Sequence, residues 1–591
     1  MELPKRNRNF VGEMKKIVFF TILALLCAPS IFAQIGYKDI TPITFNNDRQ
    51  APLHEVRAVW LTTIGGLDWP HSYAQSSASI EKQKNELRSI LDKLQHAGTN
   101  LVFLQTRVRA TTIFPSVKEP WDGCLSGKPG TSPGYDALAF AIDECHKRGM
   151  QLHAWVVTIP VGKWNATGCR NLRKNVPILL KKIGDEGFMN PEQSGTSTYL
   201  ASFCGDIAKR YDIDGIHLDY IRYPETWGKI KNRDAGRRNI TRIVEAIHNA
   251  VKKEKPWVMM SCSPIGKYAD LPRQWSHGWN ARDIVCQDAA EWMKSGLMDA
   301  LFPMMYFKGD NFYPFAIDWH ERSAGRIVAP GLGIYFLSPK EKNWALTDIT
   351  RELQVLRQYG MGHTYFRSKF FTDNTKGLYD YVTEEYCPYP ALIPAMSWYG
   401  FKRPDAPQSI SYKTTSTTTQ QLEWTEGKDH SDGSYLTYNV YASCDFPVDC
   451  SNARNILLAY KRGKSLTVPP GMYYAVTSVD RYGNESTPRQ MFSTEEYEQK
   501  KAKEFKVSPY CPVIVCSNTL NLSQINKTFP ITPSKDILGI ETLQGNLVRT
   551  FTPKESIDIS GIPAGVYIVR SIKKKGIPHR LCFLKIMRNN V

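Results

Sequence analysis

The chain has 591 residues, which is long enough for several domains. Its hydrophobic content of 42% and charged content of 22% are ordinary for a globular protein and exclude disorder of the whole chain. The formal net charge is +18, yet no Lys/Arg cluster interleaved with aromatics indicates a nucleic-acid-binding module. The basic balance suits anionic surroundings, such as cell-wall glycan or a membrane surface, and is equally typical of basic exported proteins in general.

Residues 14–34, "MKKIVFFTILALLCAPSIFAQ", have the pattern of a signal peptide: a Lys pair, an apolar run and a small residue, Ala33, before Gln34. We therefore predict that residues 1–33 are removed and that the protein is exported to the periplasm, the cell surface or the extracellular space. No other stretch is long and apolar enough to span a membrane, so no transmembrane segment is predicted in the mature chain. The remaining cysteines lack paired C-x-x-C spacing, which argues against a structural zinc site.

Between residues 50 and 400, apolar strand-like runs alternate with amphipathic helical stretches. The eight strand-like runs are "VRAVWLTT", "NLVFLQTRV", "QLHAWVVTI", "DGIHLDYIR", "WVMMSCSPIG", "ALFPMMYF", "RIVAPGLGIYF" and "GHTYFRSKFF". The helical stretches "SASIEKQKNELRSILDKLQHAG" and "ALTDITRELQVLRQYG" each end on a Gly suited to a helix C-cap. Eight βα units predict an α/β fold, a (β/α)8 TIM barrel over residues 50–400. A doubly wound open sheet is the second choice, disfavoured because no G-x-G-x-x-G follows the first strand.

The fourth run lies in residues 212–224, "DIDGIHLDYIRYP", and carries polar residues in a strand that is expected to be buried. Side chains alternate along a strand, so His217 and Asp219 share one face. Tyr220 is expected on the opposite, apolar face. A polar group without a partner in a dry core costs roughly 2–7 kcal/mol. The face with His217 and Asp219 therefore either meets solvent or lines a site.

Functional residues of a TIM barrel lie at the C-terminal ends of its strands, and polar and aromatic residues cluster at those ends in this sequence. They are Asp68 and Trp69 after strand one, Gln105, Arg107 and Arg109 ending strand two, His153 and Trp155 on strand three, His217, Asp219 and Tyr223 on strand four, Ser263 on strand five and Tyr306 on strand six. Any one of them alone is more often a core or loop residue. Their shared placement indicates a site.

After the predicted barrel, the helical stretches give way to short strand-like segments, and two small all-β sandwich domains are predicted. In residues 405–492, short alternating segments and recurrent turn residues are typical of a β-sandwich. This segment resembles a fibronectin type III module in Trp424, "YNVYAS" and "AVTSVDRYGNES", which implies a spacer, with carbohydrate binding as the alternative. In residues 507–591, "DILGIETLQGNLVRTF" and "IDISGIPAGVYIVRSI" resemble the C-terminal sorting domain of type IX secretion in Bacteroidota. The extension "LCFLKIMRNNV" departs from that pattern.

The predicted barrel resembles glycosyl-hydrolase-like family 10, a bacterial envelope family, over about residues 54–390. The motifs that carry the resemblance are "EVRAVWLTTIGGLDWP", "FLQTRVRATTIFPS", "EPWDGCLSG", "GYDALAFAIDECHKRGMQLHAW", "DIDGIHLDYIRYP", "SCSPIGKY" and "VCQDAAEWMKSGLMDALFPMMYF". The resemblance implies a TIM-barrel glycoside hydrolase that cleaves O-glycosidic bonds. Some members of the family act on peptidoglycan strands from which the stem peptides have been removed, and others on other glycans.

The fourth strand also resembles the D-G-x-D-x-D-W-E strand of the family 18 chitinases. Here His217 replaces the middle Asp, Asp219 keeps the last Asp and Ile221 stands where the catalytic Glu would be. Substrate-assisted chitinase chemistry needs that acid, so we exclude it for this chain. The face with His217 and Asp219 is instead predicted to line a sugar cleft of another kind.

Cleavage of a glycosidic bond requires two carboxyl groups, one to protonate the leaving oxygen and one to attack or to activate water. Asp219 is the first choice for the acid, and His217 would orient it or bind a hydroxyl. Asp288 in "CQD" is ranked first as the second carboxyl, with Asp68 and Glu119 as alternatives. The two roles could be exchanged, because the sequence does not give the distance between the carboxyls.

Aromatic rings near the strand ends are candidates for stacking against sugars, and core packing is expected for Trp292 and for Tyr220. Arg107 and Arg109 would hold an anionic substituent such as a lactyl carboxylate, or would form structural ion pairs. The predicted substrate-binding residues are Asp68, Trp69, Gln105, Arg107, Glu119, Trp121, His153, Trp155, His217, Tyr223 and Tyr306.

Two other classes of function compete with a glycoside hydrolase. In a metal-dependent glycan deacetylase, His153, His217 and Asp219 would form a two-His, one-carboxylate site. No H-x-H or H-E-x-x-H spacing supports this, so we predict no metal and no cofactor. In a non-catalytic protein, the same barrel would bind a carbohydrate without turnover. The predicted partner is an amino-sugar-containing glycan, and the sequence leaves its linkage and the oligomeric state open.

Overall fold

The computed structural model of this chain describes residues 51–272, 274, 276, 278–415, 419–492, 513–516, 519–521, 537–541, 547–551, 556–559, 561–563, 565–572 and 581–586. The predicted signal peptide lies outside the described residues, so its processing and the export of the protein stay predictions. Within the ranges above, none of the helices combines the length and the apolar character that a membrane crossing requires.

The central sheet consists of ten parallel strands. They are β1 (Arg57–Leu61), β2 (Leu101–Arg107), β3 (Gln151–Val157), β4 (Gly215–Asp219), β5 (Met259–Cys262), β6 (Ala300–Leu301), β7 (Met304–Met305), β8 (Ile327–Val328), β9 (Gly331–Leu332) and β10 (His363–Phe366). Their order across the sheet is β7, β9, β10, β1, β2, β3, β4, β5, β6, β8. Each of the eight predicted strand-like runs contains one or two of these strands.

Prolines interrupt two of the eight runs. Pro303 separates β6 from β7 and Pro330 separates β8 from β9, because proline lacks the N–H group that a ladder needs. Main-chain hydrogen bonds cross both interruptions, from Ala329 N to Leu301 O at 3.0 Å and from Gly331 N to Pro303 O at 2.7 Å. The two edge strands of the sheet, β7 and β8, therefore come from adjacent runs of the sequence, and these runs are hydrogen-bonded to each other. The sheet is curled, and the α/β fold is consistent with a TIM-barrel-like architecture.

Helices connect the strands, as the sequence periodicity predicts. The principal ones are α1 (Ser77–His96), α2 (Ala137–Lys147), α3 (Ser194–Arg210), α4 (Arg233–Glu254), α5 (Ala289–Lys294), α6 (Tyr313–Glu321) and α7 (Leu346–Gln358). Shorter helices cover Gly123–Ser126, Thr167–Asn175, Ala281–Ile284, Ser368–Thr372 and Leu378–Tyr381. The two predicted helices correspond to α1 and α7. Gly98 (φ 71°) and Gly360 (φ 70°) follow them in the left-handed conformation expected of capping glycines.

Side chains fill the interior of the curled sheet. The His217 ring lies 4.1 Å from the Phe103 ring and 5.6 Å from the Phe302 ring, measured between centroids. Trp60 packs on the same group, 5.9 Å from His217. Since these residues come from β1, β2, β4 and the run containing β6, they form one packed layer. The interior of the sheet at this level is thus filled by side chains, as in the packed core of a TIM barrel.

Mostly antiparallel sheets follow the curled sheet. Residues 410–490 contain a three-stranded sheet and a four-stranded sheet. Their strands are Ile410–Thr414, Gln420–Trp424 and Ser465–Val468 in the first, and Ile456–Lys461, Thr437–Ser443, Tyr473–Val479 and Arg489–Gln490 in the second. The C-terminal strands are Val513–Cys516, Thr519–Asn521, Ile537–Glu541, Leu547–Phe551, Ser556–Asp558, Gly565–Ile572 and Leu581–Ile586. These sheets suggest additional all-β domains, whose predicted boundaries stay predictions.

Charged side chains join the sheets of residues 410–490 to the amino-terminal ends of the parallel strands. Arg481 Nη1 donates to Asp212 Oδ1 at 2.9 Å, and Arg462 Nη2 donates to Asp214 Oδ1 at 3.2 Å. The two aspartates directly precede β4. Asp219 lies at the opposite end of the same strand. The antiparallel sheets therefore cover the face remote from the candidate site.

Glu352 on α7 is a buried carboxyl, and neither of its oxygens has a hydrogen-bond partner among the described residues. Burial, and secondarily the charge of Asp348, raises the pKa of this group well above its ordinary value of 4.5, while Lys308 opposes the rise. We expect Glu352→Met to stabilise the protein at pH 7 by about 1–3 kcal/mol, the usual penalty of an unsatisfied buried polar group. Urea unfolding measures the change.

The gain should depend on pH. Because burial raises the folded-state pKa of Glu352, the free-energy cost of ionising this group in the folded protein is absent below pH 4.5 and grows as the pH rises. The advantage of Glu352→Met should therefore grow between pH 4 and pH 8. The exposed Glu245 on α4 provides the matched control, and Glu245→Met should give no comparable gain. A destabilised Glu352→Met protein at pH 7 would show that this carboxyl has a stabilising partner.

Candidate active site

Asp219 ends β4, and three donors hold its carboxylate. Oδ1 accepts hydrogen bonds from Ser263 Oγ at 2.9 Å and from Tyr220 N at 2.8 Å. Oδ2 accepts a hydrogen bond from Trp155 Nε1 at 3.1 Å. Trp155 lies on β3 and Ser263 directly follows β5, so the two strands adjacent to β4 supply the side-chain donors. The strand order thus assembles a fixed carboxyl at the C-terminal end of the sheet.

The environment of Asp219 favours its protonated form. Burial raises the pKa of the carboxyl above its usual range, and the hydrogen bonds from Ser263 and from Tyr220 N oppose part of this rise. Asp219 is a buried residue, with 7% of its surface exposed. A carboxyl that keeps its proton to higher pH is suited to general acid catalysis.

Tyr220 leaves the strand geometry directly after Asp219. Its φ of 52° is left-handed, a conformation that bulky side chains rarely adopt and that occurs preferentially at functional sites. Tyr220 therefore departs from the regular strand backbone, while its side chain still packs against the hydrophobic core, as expected. It is half-buried, and its pKa is raised by burial and then by the charge of Asp219. The Arg222 guanidinium lies 4.4 Å from its ring centroid.

An aromatic wall adjoins Asp219. The Tyr306 ring, directly after β7, stacks on Phe366 at 5.2 Å and meets the edge of Tyr335 at 5.7 Å. Burial, and secondarily the charge of Asp219, raises the pKa of the Tyr306 phenol well above its usual value. Sequence reasoning missed Tyr335 and Phe366. Tyr335 follows β9 and Phe366 ends β10, so their positions at strand ends were the signal that could have identified them.

The two histidines of the predicted site are core residues. His217 is 0% exposed; its Nε2 accepts a hydrogen bond from Trp60 Nε1 at 3.2 Å, and its Nδ1 lies 3.0 Å from Ser261 Oγ. Both ring nitrogens are therefore occupied, and burial lowers the pKa of the neutral ring well below its ordinary value. His153 is buried near the start of β3, and burial lowers its pKa to about 4. The prediction that both contact substrate is not supported by this geometry.

This arrangement also bears on the metal-dependent alternative. His217 has no ring nitrogen left for a metal, and His153 lies two residues into β3, away from the strand end that carries Asp219. Among the residues that the structure describes, no group of three or more His, Cys, Asp or Glu side chains is placed to hold a metal ion.

Arg107 and Glu119 form a fully buried ion pair. Arg107 Nε and Nη2 donate to the Glu119 carboxylate at 2.7–3.0 Å, and both side chains are 0% exposed. Tyr199 OH also donates to Glu119 Oε1, at 3.1 Å. Of the two alternatives for Arg107, the structural ion pair is therefore correct, and direct substrate contact by either residue is not supported. Arg109 is exposed beside Gly162.

Asp68, in the loop after β1, and Gln105, on β2, both accept hydrogen bonds from the main chain that follows β1. Asp68 Oδ2 accepts hydrogen bonds from Thr62 N and Oγ1, both at 2.8 Å, and Asp68 Oδ1 pairs with Arg367. Gln105 Oε1 accepts a hydrogen bond from Thr63 N at 3.0 Å. Since Asp68 and Gln105 are both buried, their predicted contact with substrate is not supported.

The predicted aromatic residues divide into two groups. Trp69 and Tyr223 are buried, with Trp69 Nε1 donating to Gln83 O at 2.9 Å, so sugar stacking by either is not supported. Trp292 is buried on α5, as expected. Trp155 is fixed beside Asp219, and Trp121 is half-buried in the loop after β2. The substrate-binding roles of Trp121, Trp155 and Tyr306 stay predictions.

Asp288 and Glu225 are two further candidates for the second carboxyl. Asp288 accepts a hydrogen bond from Tyr268 OH at 2.5 Å, and its side chain is 18% exposed. Its role as the second carboxyl stays a prediction. Glu225, which sequence reasoning missed, is exposed and pairs with Arg222 at 2.6 Å. Its charge acts on the same phenol, Tyr220, as that of Asp219. Its position six residues after Asp219, in the loop that follows β4, was the available signal.

The parallel-strand part of the chain matches a family of glycosidase-like proteins. Residues 55–236 and 230–335 match the family model described as Glycosyl hydrolase-like 10. The matched region contains β1 to β9 together with Asp219 and Ser263. The family resemblance predicted from the motifs is thus confirmed over this region.

Individual proteins are similar over longer stretches. The chain is 27% identical over 476 residues to "Glycosyl hydrolase YngK" of Bacillus subtilis (strain 168), covering 73% of this chain and 92% of the relative. It is 28% identical over 351 residues to "Glycosyl hydrolase DigH" of Escherichia coli (strain K12), covering 52% and 78%. A solved α-L-fucosidase, isoenzyme 2 from Paenibacillus thiaminolyticus, is 13% identical with a TM-score of 0.38, covering 56% of this chain and 50% of that chain.

Proposed function

We propose that this protein is a glycoside hydrolase that cleaves an O-glycosidic bond with Asp219 as the general acid. The observation that carries the proposal is the fixed, buried Asp219 at the end of β4, with a pKa above its usual range. The family match and the two relatives named glycosyl hydrolase support the same type of reaction. Protonation of the leaving oxygen is the step that such a carboxyl would supply.

The hydrogen bonds indicate which oxygen carries the proton. Oδ1 already accepts two hydrogen bonds, from Ser263 and from Tyr220 N, whereas Oδ2 accepts one, from Trp155. A carboxyl oxygen has two lone pairs, so the free position is on Oδ2. The acid would hold its proton there and pass it to the glycosidic oxygen, and the resulting carboxylate would be stabilised by all three donors.

The second carboxyl is proposed to be Asp288 or Glu225. Asp68 and Glu119, the earlier alternatives, are enclosed in ion pairs with Arg367 and Arg107 and cannot reach a sugar without breaking them. The separation from Asp219 would determine the outcome: about 5 Å for a nucleophile and about 6.5–9.5 Å for a base that activates water. Inversion or retention follows from which of the two carboxyls is used.

We further propose that the substrate is an amino-sugar-containing glycan, with peptide-free peptidoglycan strands as the first candidate. The family resemblance of the motifs supports this choice, and the predicted signal peptide supports action outside the cytoplasm. The fibronectin-type-III-like segment would act as a spacer, and the C-terminal segment would serve export or surface retention. The seven strands in residues 410–490, arranged in two antiparallel sheets, suit the first of these assignments.

Release of new reducing ends tests the proposed function. The full chain would be incubated with peptide-free peptidoglycan strands, chitin oligomers and mucin glycans, and the products resolved by mass spectrometry. Product formation from at least one amino-sugar glycan is expected. Tight binding without any product would favour the non-catalytic carbohydrate-binding alternative.

Ser263→Ala should shift the pH dependence of turnover. Removing the Ser263 hydroxyl takes one donor from the Asp219 carboxylate, so the pKa of Asp219 should rise further. A general acid is active while protonated, and the alkaline limb of the kcat profile should therefore move upward by about one pH unit. Ser261→Ala is the matched control, since Ser261 contacts His217 and not Asp219. An unchanged or acid-shifted limb in Ser263→Ala would contradict the acid role.

A further inference from the structure

Arg222, in the loop after β4, is a buried cation close in the chain to the proposed acid. The residue is 2% exposed. Its Nη2 donates to Glu225 Oε1 at 2.6 Å, and its Nη1 donates to Tyr223 O at 3.3 Å. Its Nε is buried as well and has no hydrogen-bond partner among the described residues. A buried guanidinium with an unused N–H group is costly to desolvate, so this position needs an explanation.

The ion pair with Glu225 does not explain it. The side chain of Glu225 is 47% exposed, whereas that of Arg222 is 3% exposed, so water screens one partner while the other is desolvated. Apolar residues in place of a buried ionic pair often leave stability unchanged or raise it. Folding stability therefore gives no reason for a cation here, and we looked for one in the contacts of Arg222 with the site.

Arg222 holds the turn that follows Asp219. Its main-chain N donates to Tyr220 O at 2.8 Å, which closes a three-residue turn. Its guanidinium lies 4.4 Å from the centroid of the Tyr220 ring. Arg222 thus contacts both the main chain and the side chain of Tyr220, whose φ of 52° is rare for a bulky residue. A strained backbone of this kind persists only where its surroundings impose it.

The main chain of Tyr220 also contacts the acid. Tyr220 N donates to Asp219 Oδ1 at 2.8 Å, beside the hydrogen bond from Ser263 Oγ at 2.9 Å. One residue therefore donates to Asp219 and accepts from Arg222. Relaxation of the turn would move this N–H relative to the carboxylate, so the contacts run from Arg222 through Tyr220 to Asp219.

The charge of Arg222 acts on Asp219 as well. Burial raises the pKa of Asp219, and the charge of Arg222 opposes part of this rise, together with the hydrogen bonds from Ser263 and Tyr220 N. The other groups that face the carboxyl or respond to its charge are Trp155 on β3, Cys262 on β5, and the phenols of Tyr220 and Tyr306. These groups are neutral at pH 7, whereas Arg222 is a permanent cation.

We propose that Arg222 is a positioning residue for Asp219: it holds the turn in which Tyr220 N donates to the carboxylate, and its charge stabilises the carboxylate that remains after proton transfer. The proposal rests on the proposed glycoside hydrolase function. It adds a residue that touches neither the substrate nor the reacting atoms and acts through Tyr220 and through its charge.

A second buried arginine provides the matched control. Arg326, directly before β8, donates to Met293 O at 2.7 Å and lies 4.9 Å from the Trp398 ring. Its Nη1 lies 3.7 Å from Asp299 Oδ1, and its side chain is 13% exposed. Arg326 therefore has the same kinds of contact as Arg222, but at the amino-terminal ends of the strands, remote from Asp219. Arg222→Met and Arg326→Met would be compared in the full chain.

Arg222→Met should move the alkaline limb of the kcat profile upward by ~0.5–1 pH unit, because Asp219 loses a stabilising charge and keeps its proton to higher pH. The limb should not move in Arg326→Met. Arg222→Lys keeps the charge without the planar guanidinium, so its limb should lie between those of the wild type and Arg222→Met. KM should change less than about twofold in all three. An unmoved limb in Arg222→Met, with or without a fall in Tm, would overturn the proposal.

Titration of Asp219 itself separates the proposal from the hydrolase function. If the wild-type chain cleaves no glycan, the function fails, and NMR titration of the labelled carboxyl carbons still reports the pKa of Asp219, with Asp219→Asn identifying its signal. A higher Asp219 pKa in Arg222→Met than in Arg326→Met would support the proposal. Equal values would overturn it. Arg222→Gln, a polar substitution, serves the same comparison if Arg222→Met does not fold.

Discussion

Asp219→Asn is expected to lower kcat by at least ~10²-fold, the usual scale of proton-transfer catalysis, with little change in glycan affinity. Asparagine keeps the shape of the side chain but cannot donate or accept the proton at working pH. Its carbonyl oxygen can accept the hydrogen bonds from Ser263 and from Tyr220 N that now reach Oδ1. Turnover and equilibrium binding of the same glycan measure the two quantities.

The stability of Asp219→Asn distinguishes a catalytic from a structural role. The Asn amide group would face the Trp155 N–H, and the lost hydrogen bond costs about 0.5–1.5 kcal/mol. Removal of a buried carboxyl with a raised pKa offsets this loss at neutral pH, so Tm should change little. A large fall in Tm with unchanged activity per folded molecule would contradict the acid role. Asp288→Asn and Glu225→Gln, measured in parallel, identify the second carboxyl by which of them also loses turnover.

Glu119→Gln is expected to destabilise the protein by about 3–5 kcal/mol, because it leaves the buried guanidinium of Arg107 without its counter-charge. Arg107 also donates to the carbonyl oxygens of Val157 and Thr158. Thr158 in turn donates to Asp219 O, so the ion pair supports the main chain behind the proposed acid. Denaturant unfolding gives the free energy, and turnover per folded molecule should fall much less than in Asp219→Asn.

The double variant Arg107→Met/Glu119→Leu is the matched control for this effect. It removes both charges and leaves none uncompensated, so it should be more stable than Glu119→Gln alone. KM for the glycan should be similar in all folded variants, since neither side chain reaches the surface. A strong rise in KM for Glu119→Gln, with stability unchanged, would return Glu119 to the substrate-binding set.

Periodicity determined the elements of this fold. The eight apolar runs, the amphipathic repeat of α1 and α7, and the glycines after both helices are local features, so the sequence predicted them directly. The placement of Asp219 at the end of a buried strand followed from the alternation of side chains. The family motifs added the type of reaction. None of these inferences requires knowledge of which side chains meet across the sheet.

Contacts between distant residues decided the rest of the site. Position near a strand end did not distinguish Asp219, which has no charged partner at ion-pair distance among the described residues, from Glu119, which Arg107 and Tyr199 enclose. The departure of Tyr220 from the strand geometry depends on its φ, which strand alternation does not encode. Whether a polar residue becomes a buried partner or an accessible group depends on its neighbours in three dimensions. The sequence by itself therefore determined the strands, the helices and the position of Asp219 at a strand end, whereas the tertiary structure alone decided which neighbouring residues hold its carboxylate.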